Sequence, residues 1–217
     1  MESQNVSTKQ TQIAELARKL PGRRLVSLNH HLDLAWLAEA CRRTRKDGAP
    51  GVDGMVWEEY SRNLPAHLTN LLNRAKGGAY HAPPVRRVHI PKGPGQTRPL
   101  GIPTLEDKIL QRAVAMVLEP IYEQEFLDSS YGFRPCRSPH QALHTIWRQI
   151  MTAGGCWLID ADIAQFFDTL DKAVLRDLLN QRVGDGVIRR LIGKWLAAGV
   201  LDHGVLSYPE TGTPQGG

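Results

Sequence analysis

Asp160 and Asp162 stand two residues apart in the run Trp157-Leu158-Ile159-Asp160-Ala161-Asp162-Ile163, whose apolar members predict a buried strand. Alternate residues of a strand share a face, so the two carboxylates would lie on one side, roughly 6.6 Å apart. Unpaired, they would repel each other and resist burial. A hard divalent cation removes that conflict, and Mg²⁺ characteristically takes one or two carboxylates together with substrate phosphates. The plain alternative is two acids at a solvent-exposed strand end, because a bare Asp-x-Asp is a weak signal. A second pair with chemical use flanks a flexible turn: Lys92 and Arg98, on either side of Gly93-Pro94-Gly95-Gln96-Thr97. Lysine offers a compact charge and arginine a planar fork, so a hairpin carrying both can close over a phosphate group. The alternative there is a basic surface hairpin without a ligand.

The elements that must position these residues follow from periodicity and punctuation. Residues 1–10 are polar and expected to fray. Ile13, Leu16, Ala17 and Leu20 follow helical spacing up to Pro21-Gly22. Asp33 is an N-cap candidate for a helix burying Leu34, Trp36, Leu37 and Ala40. The basic end of that helix, Arg42, Arg43, Arg45 and Lys46, serves either the helix dipole or a phosphate backbone. Lys46 to Gly54 is a turn-rich loop whose glycines could admit a phosphate, although no strand precedes it. A further helix carries Tyr60, Leu64, Leu68, Leu71 and Leu72, with Pro65 expected to kink or split it. Val85–Lys92 and Arg98–Pro103 read as the two strands of a hairpin, placed at a sheet edge by their prolines.

Thr104 caps a long helix with Ile109, Leu110, Ala113, Val114, Val117, Leu118 and Ile121 inward, and Pro120 marks a kink or the last turn. In the loop Asp128 to Pro135, Tyr131 and Phe133 either anchor the loop or stack on bases; anchoring is the favoured reading. Ser138-Pro139-His140-Gln141 has the residues of a capping box with proline at the first helical position. Asp171 caps another helix, Val187 to Leu196 is amphipathic, and Val200 to Tyr208 suits a short hairpin.

The 217 residues carry a formal charge of +5 and a pI near 9.3, which favours a polyanionic partner. Cys41, Cys136 and Cys156 form no CxxC pair, which argues against a zinc site or a disulfide framework and fits a reducing, cytoplasmic setting. No apolar run approaches the ~18 residues of a membrane span, and the polar N-terminus lacks an apolar core of the secretory type.

Asp162-Ile163-Ala164-Gln165-Phe166-Phe167-Asp168 resembles the first catalytic motif of reverse transcriptases, in the form used by group II intron proteins. Four more stretches follow the same family order. Gly48 to Gly54 resembles its RNA-contacting N-terminal extension, and Ile90-Pro91-Lys92 with Arg98-Pro99-Leu100-Gly101-Ile102-Pro103-Thr104 resembles its fingers. Ser130-Tyr131-Gly132-Phe133-Arg134-Pro135 resembles the motif between fingers and palm, and Gly212-Thr213-Pro214-Gln215-Gly216-Gly217 a later nucleotide-contacting motif. One departure is Cys136, where the family usually has glycine. The likeness runs from about Val26 to Gly217.

The resemblance implies an α+β fold, the fingers of a right-hand polymerase plus part of a palm with an incomplete antiparallel sheet. It divides the chain into an N-terminal extension (1–25), fingers (26–155) and partial palm (156–217), ending before the motif that carries two adjacent aspartates. It implies Mg²⁺-dependent addition of dNTPs to a primer 3′-hydroxyl on an RNA template. Asp162 and the Ile163 carbonyl would hold metal, with two Mg²⁺ ions in the complete site. Lys92 and Arg98 would hold the triphosphate, Phe167 would gate the sugar, and Gln215 would position the nucleotide. Arg86, Arg87 and Arg134 would lie near nucleic acid. Implied partners are an RNA template, a DNA or RNA primer, dNTP and group II intron RNA, with no membrane. With one acidic motif, residues 1–217 by themselves are expected to be inactive. A non-catalytic RNA-binding module that helps intron RNA fold and splice is the alternative. Another Asp-x-Asp metal enzyme, such as a glycosyltransferase, is the third reading, opposed by the hairpin and the Pro214-Gln215-Gly216 ending.

Overall fold

A computed structural model describes residues 2–154 and 157–213, with backbone alone for residues 2–4. Helix α1 runs Glu2–Lys19, so the polar N-terminus does not fray: Val6 lies one helical stripe below Ile13 and Ala17 and is buried with them. Helix α2 (Leu34–Arg43) starts at Asp33, whose carboxylate accepts from Trp36 N at 2.9 Å. A short helix α3 (Trp57–Tyr60) and one 3₁₀ turn precede α4 (Leu64–Gly77). Pro65 therefore opens α4 rather than kinking it; proline suits the first turn because that N–H has no helical partner.

Strands β1 (Val85–Gly93) and β2 (Gln96–Ile102) form the expected hairpin, with a bulge between Pro91 and Gly93. Helix α5 (Leu105–Tyr122) is capped by Thr104 and holds Pro120 in its last turn. Helix α6 (Pro139–Ala153) has the full capping box of Ser138 and Gln141. Then come α7 (Phe166–Thr169), α8 (Lys172–Arg182), α9 (Gly186–Leu196), and strands β3 (Val200–Asp202) and β4 (Val205–Ser207).

The core is helical. Trp36 lies at its centre with its indole N–H donated to Ala113 O at 2.9 Å, tying α2 to α5. Leu71 and Ala75 of α4, Ile109 to Ile121 of α5, and Ile188 and Leu191 of α9 close around it. The sheet has the order β2-β1-β3-β4 and is mixed: both hairpins are antiparallel, but β1 and β3 run parallel through Val85↔Val200 and Arg86↔Leu201. Because β3 touches β1 only at those two pairs, the distal half of β1, including Pro91, has a free edge where a missing N–H costs nothing.

The strand expected over Trp157–Ile163 does not form among the described residues. The segment has no ladder partner, and Trp157, Leu158, Ile159 and Ile163 are exposed. A strand exists only through pairing, and none of β1 to β4 pairs with this segment. Helix α6, which precedes this segment, buries none of its residues, so Leu143, Trp147 and Met151 face outward.

Candidate nucleotide and nucleic-acid site

After Ile163 the chain turns sharply. Gln165 takes φ 52° and starts α7, and its carbonyl accepts from Asp168 N and Thr169 N at 2.9 and 3.0 Å. The turn sets the rings of Phe166 and Phe167 edge to face, 5.4 Å between centroids, both partly exposed. Phe167 therefore packs on its neighbour and presents a free ring surface, not a core contact.

The segment after β4 returns to this turn. Gly212 N donates to Leu170 O at 2.8 Å and Thr213 N to Phe167 O at 2.7 Å. Gly212 has φ 78°, and a Cβ there would lie 2.7 Å from Asp168 O and 2.8 Å from Phe167 O. Both its conformation and the space around it require glycine. Two motifs more than forty positions apart in sequence thus meet backbone to backbone. Gln215 lies outside the described residues. Arg87, Asp168, Lys172 and Thr213 line a cleft of about 220 Å³ beside this junction. Arg87 Nε is buried there without a hydrogen-bond partner.

Lys92 sits at the bulge of β1 and Arg98 opposite Ile90. Both are exposed, and neither makes an ion pair among the described residues. Other basic residues are occupied. Arg86 donates from Nε and Nη2 to Pro50 O, and Lys108 Nζ to Ala49 O at 2.7 Å. Gly51 lets this loop lie against the α5 N-terminus, where a Cβ would be 2.6 Å from Thr104 Cα. Gly51 thus serves a close backbone contact and Gly54 a left-handed turn at φ 67°, and no phosphate is needed to explain either. At the end of α2, Arg42 and Arg43 both bond Glu39, and these bonds, Arg42's foremost, hold its carboxyl down at about 2. Arg45 pairs with Asp47, and Lys46 covers the Trp57 ring at 4.2 Å.

In the loop before α6, Arg134 forms a fork with both Glu123 oxygens at 3.1 Å and donates Nη1 to Leu127 O and Ser130 O at 2.8 Å. Its side chain is 6% exposed, so it holds the loop together from inside. Tyr131 anchors the loop as expected, its hydroxyl 2.8 Å from Thr145 Oγ1. Phe133 does the opposite: it takes φ 56° and its ring is fully exposed. Cys136 takes φ 58°, which accounts for the glycine usual at that place in the resemblance.

One structural acid escaped sequence reasoning, and a second, Asp107, lies where a capping box at Thr104 is expected. Asp185, fully buried, caps α9 through Val187 N and Ile188 N and also accepts from Leu28 N, Asn29 N and Asn29 Nδ2. Burial alone would raise its pKa, but these donors outweigh burial and hold the carboxyl below its ordinary value. An Asp just before an apolar helical stretch was the available signal. Asp107 borders an apolar cavity of about 430 Å³ with Gln111, Val114, Leu179 and Ile192. Burial pushes it up to about 7, partly opposed by the Trp195 indole, whose N–H is turned to Tyr80 Oη at 2.9 Å.

Carboxylate oxygens are fit donors for a hard cation, but Asp160, Asp162 and Asp168 do not converge as a group of ligands among the described residues. A pair of ions about 3.5–4 Å apart needs more carboxylate than one exposed motif. These residues alone therefore do not build a two-ion site.

A turn carrying two phenylalanines, a glycine-dependent backbone junction and an unpaired basic hairpin thus stand on one fold of mixed α and β structure. The sequence profile described as reverse transcriptase (RNA-dependent DNA polymerase) matches residues 90–217, more than half of the chain, and the chain belongs to that family. Among curated relatives, protein YkfC of Escherichia coli K12 is 42% identical over 188 residues, 84% of this chain and 49% of that protein. The group II intron-encoded protein LtrA of Lactococcus lactis is 43% identical over 151 residues, 69% of this chain and 25% of LtrA. Nuclear intron maturase 1 of Arabidopsis thaliana is 33% identical over 90 residues, 42% of this chain and 12% of that protein. The chain thus spans about half or less of these relatives. Members of the family generally use divalent metals. Among the described residues no helix is long and apolar enough to cross a membrane.

Proposed function

We propose that residues 1–217 form the fingers and the first part of the palm of an RNA-directed DNA polymerase of the group II intron type. The division at 1–25, 26–155 and 156–217 is part of this reading. The observation that carries it is the junction of Gly212-Thr213 with Phe167–Leu170, since it sets the sugar-facing aromatic beside the segment leading to Gln215. Lys92 and Arg98, without an ion pair among the described residues, bind the triphosphate of a dNTP. Phe167 lies against the sugar, and Gln215 positions the nucleotide. Arg87 adds positive charge beside the same cleft, and Arg86 contributes indirectly by holding the loop that ends at Gly54. In the parent reaction a primer 3′-oxygen bonds to the α-phosphorus and pyrophosphate leaves. Mg²⁺ would supply charge stabilisation and activation of the attacking oxygen. Asp162 and the Ile163 carbonyl are the ligands that this chain contributes.

No two adjacent aspartates occur in the 217 residues. The isolated polypeptide is therefore expected to bind an RNA template with its primer but not to extend it. The test is a labelled-primer assay on an RNA template with Mg²⁺. Retention without extension is expected; Asp162-dependent extension would show that 1–217 already holds a complete site.

One observation favours a second reading, an RNA-binding module that assists intron RNA in the cytoplasm. The fully exposed Phe133 ring is free to stack on an unpaired base. Weakened binding of structured intron RNA by Phe133→Ala, with primer–template binding unchanged, would support it.

A further inference from the structure

His89, Asp202 and His203 lie outside the quoted motif residues, His89 just before Ile90 and opposite Pro99, at the place where the middle of β1 passes the tip of the β3–β4 hairpin. One ligand atom from each lies within 4.8 Å of the others. The two imidazoles are stacked face to face, 5.9 Å between centroids and 9° from parallel. Asp202 Oδ1 is buried and has no hydrogen-bond partner; His203 Nε2 is 3.7 Å away, beyond bonding distance. A buried carboxylate oxygen without a donor is costly and needs an explanation. Two imidazole nitrogens and one carboxylate gathered within 4.8 Å of one another offer one.

We propose that these three residues bind a borderline transition-metal ion of the zinc class. His₂-carboxylate with one open position is a tetrahedral zinc set, with nitrogen and oxygen ligands about 2.0–2.2 Å from the ion. Ligand atoms around such an ion are roughly 3.3 Å apart, and an imidazole binds in its own ring plane, so closure needs the two nearly parallel rings to rotate toward the ion as well as approach it. Both histidines are exposed and have that freedom. Imidazole disfavours Mg²⁺, which demands oxygen ligands in octahedral geometry, so the site is chemically distinct from Asp162. Cysteine spacing gives no sign of it, because it uses no thiolate.

The hairpin geometry explains the placement. His203 and Gly204 are the two residues between paired Asp202 and Val205, and both have positive φ, 46° and 84°. That is the two-residue turn which normally favours Asn-Gly. A bound ion would tie the β1–β2 hairpin, with Lys92 and Arg98 near its tip, to the β3–β4 hairpin beyond the two residue pairs that now join them.

The test titrates the chelator-stripped 217-residue protein with Zn²⁺, and with Co²⁺ as an optical probe, in millimolar Mg²⁺. Expected are one equivalent of Zn²⁺ bound, a visible ligand-field band with Co²⁺ of tetrahedral intensity, and a rise in Tm on the order of 5 °C at saturating Zn²⁺. His89→Ala and His203→Asn should each weaken binding at least tenfold. His203→Asn is chosen because asparagine suits the turn, so the variant folds without the ligand. His140→Ala, an exposed histidine on α6, is the control and should bind as the parent does. Zn²⁺ affinity unchanged in His89→Ala and His203→Asn, or no Zn²⁺ bound beyond that of the double variant, would overturn the proposal.

Discussion

Cys136 shows how a single residue type carries strain that the fold accepts. Its φ of 58° lies in the left-handed region, where a non-glycine residue costs about 1–2 kcal/mol. Cys136→Gly relieves that cost and gives back part of it as unfolded-state entropy. The expected net gain is about 0.5–1 kcal/mol, read as a higher urea midpoint with an unchanged slope; a lower midpoint would refute it. Asp185 is the opposite case. Its removal leaves five donors around α9 and residues 28–29 unmet, so Asp185→Ala should cost about 3 kcal/mol in the same measurement.

Asp107 makes stability depend on pH. Its folded pKa, about 7, lies above its unfolded value, so the fold binds the extra proton. The stabilisation it contributes is full below about pH 4, the unfolded carboxyl value, and is lost as pH rises through 7. Asp107→Asn should flatten that decline and raise Tm at pH 8; an unchanged profile would mean that the carboxyl ionises normally.

At the level of elements, the local signals were the readable ones. Asp33, Ser138 with Gln141, and Asp171 announce helix starts because a cap is a contact within three residues. The hairpins were legible for the same reason. The strand over Trp157–Ile163 was not, since alternation and apolarity give only the readiness to pair and no described strand pairs with it. Val6 was missed because one apolar residue in a polar stretch has no periodicity until Ile13 and Ala17 are stacked above it. The partners of Arg134, Glu123 and two carbonyls, could not be read from sequence because they are set by the folded loop. Phe133 and Cys136 were ambiguous because positive φ has no marker in a non-glycine residue.

Helix α6 buries nothing, so its ends must hold it. Ser138→Ala removes about 1 kcal/mol of capping, and amide exchange in α6 should quicken about fivefold while α2 and α5 keep their protection. Equal acceleration in α5 would show that α6 is coupled to the core.

At the scale of the whole molecule, one helical core built by α1, α2, α4, α5 and α9 carries a basic hairpin and an exposed acidic segment, and Arg87 of β1 and Asp168 meet in one cleft. Charge of the same sign as the hairpin predominates, and part of it is internally paired, at Glu39, Asp47 and Glu123. Most lysines and arginines form no ion pair among the described residues and leave positive charge on the surface. Affinity for RNA should therefore fall with salt, each neutralised phosphate of single-stranded RNA contributing about 0.7 to the slope.

The fingers reading stands most directly on the triphosphate grip. The decisive measurement is titration of a fluorescent dNTP into the 217-residue protein bound to an RNA template and primer, for the parent and for Lys92→Ala/Arg98→Ala. A loss of at least tenfold in dNTP affinity in the double variant, with primer–template binding within twofold of the parent, is the predicted result. Equal dNTP affinity in the two proteins would contradict the assignment of the hairpin to the nucleotide's phosphates.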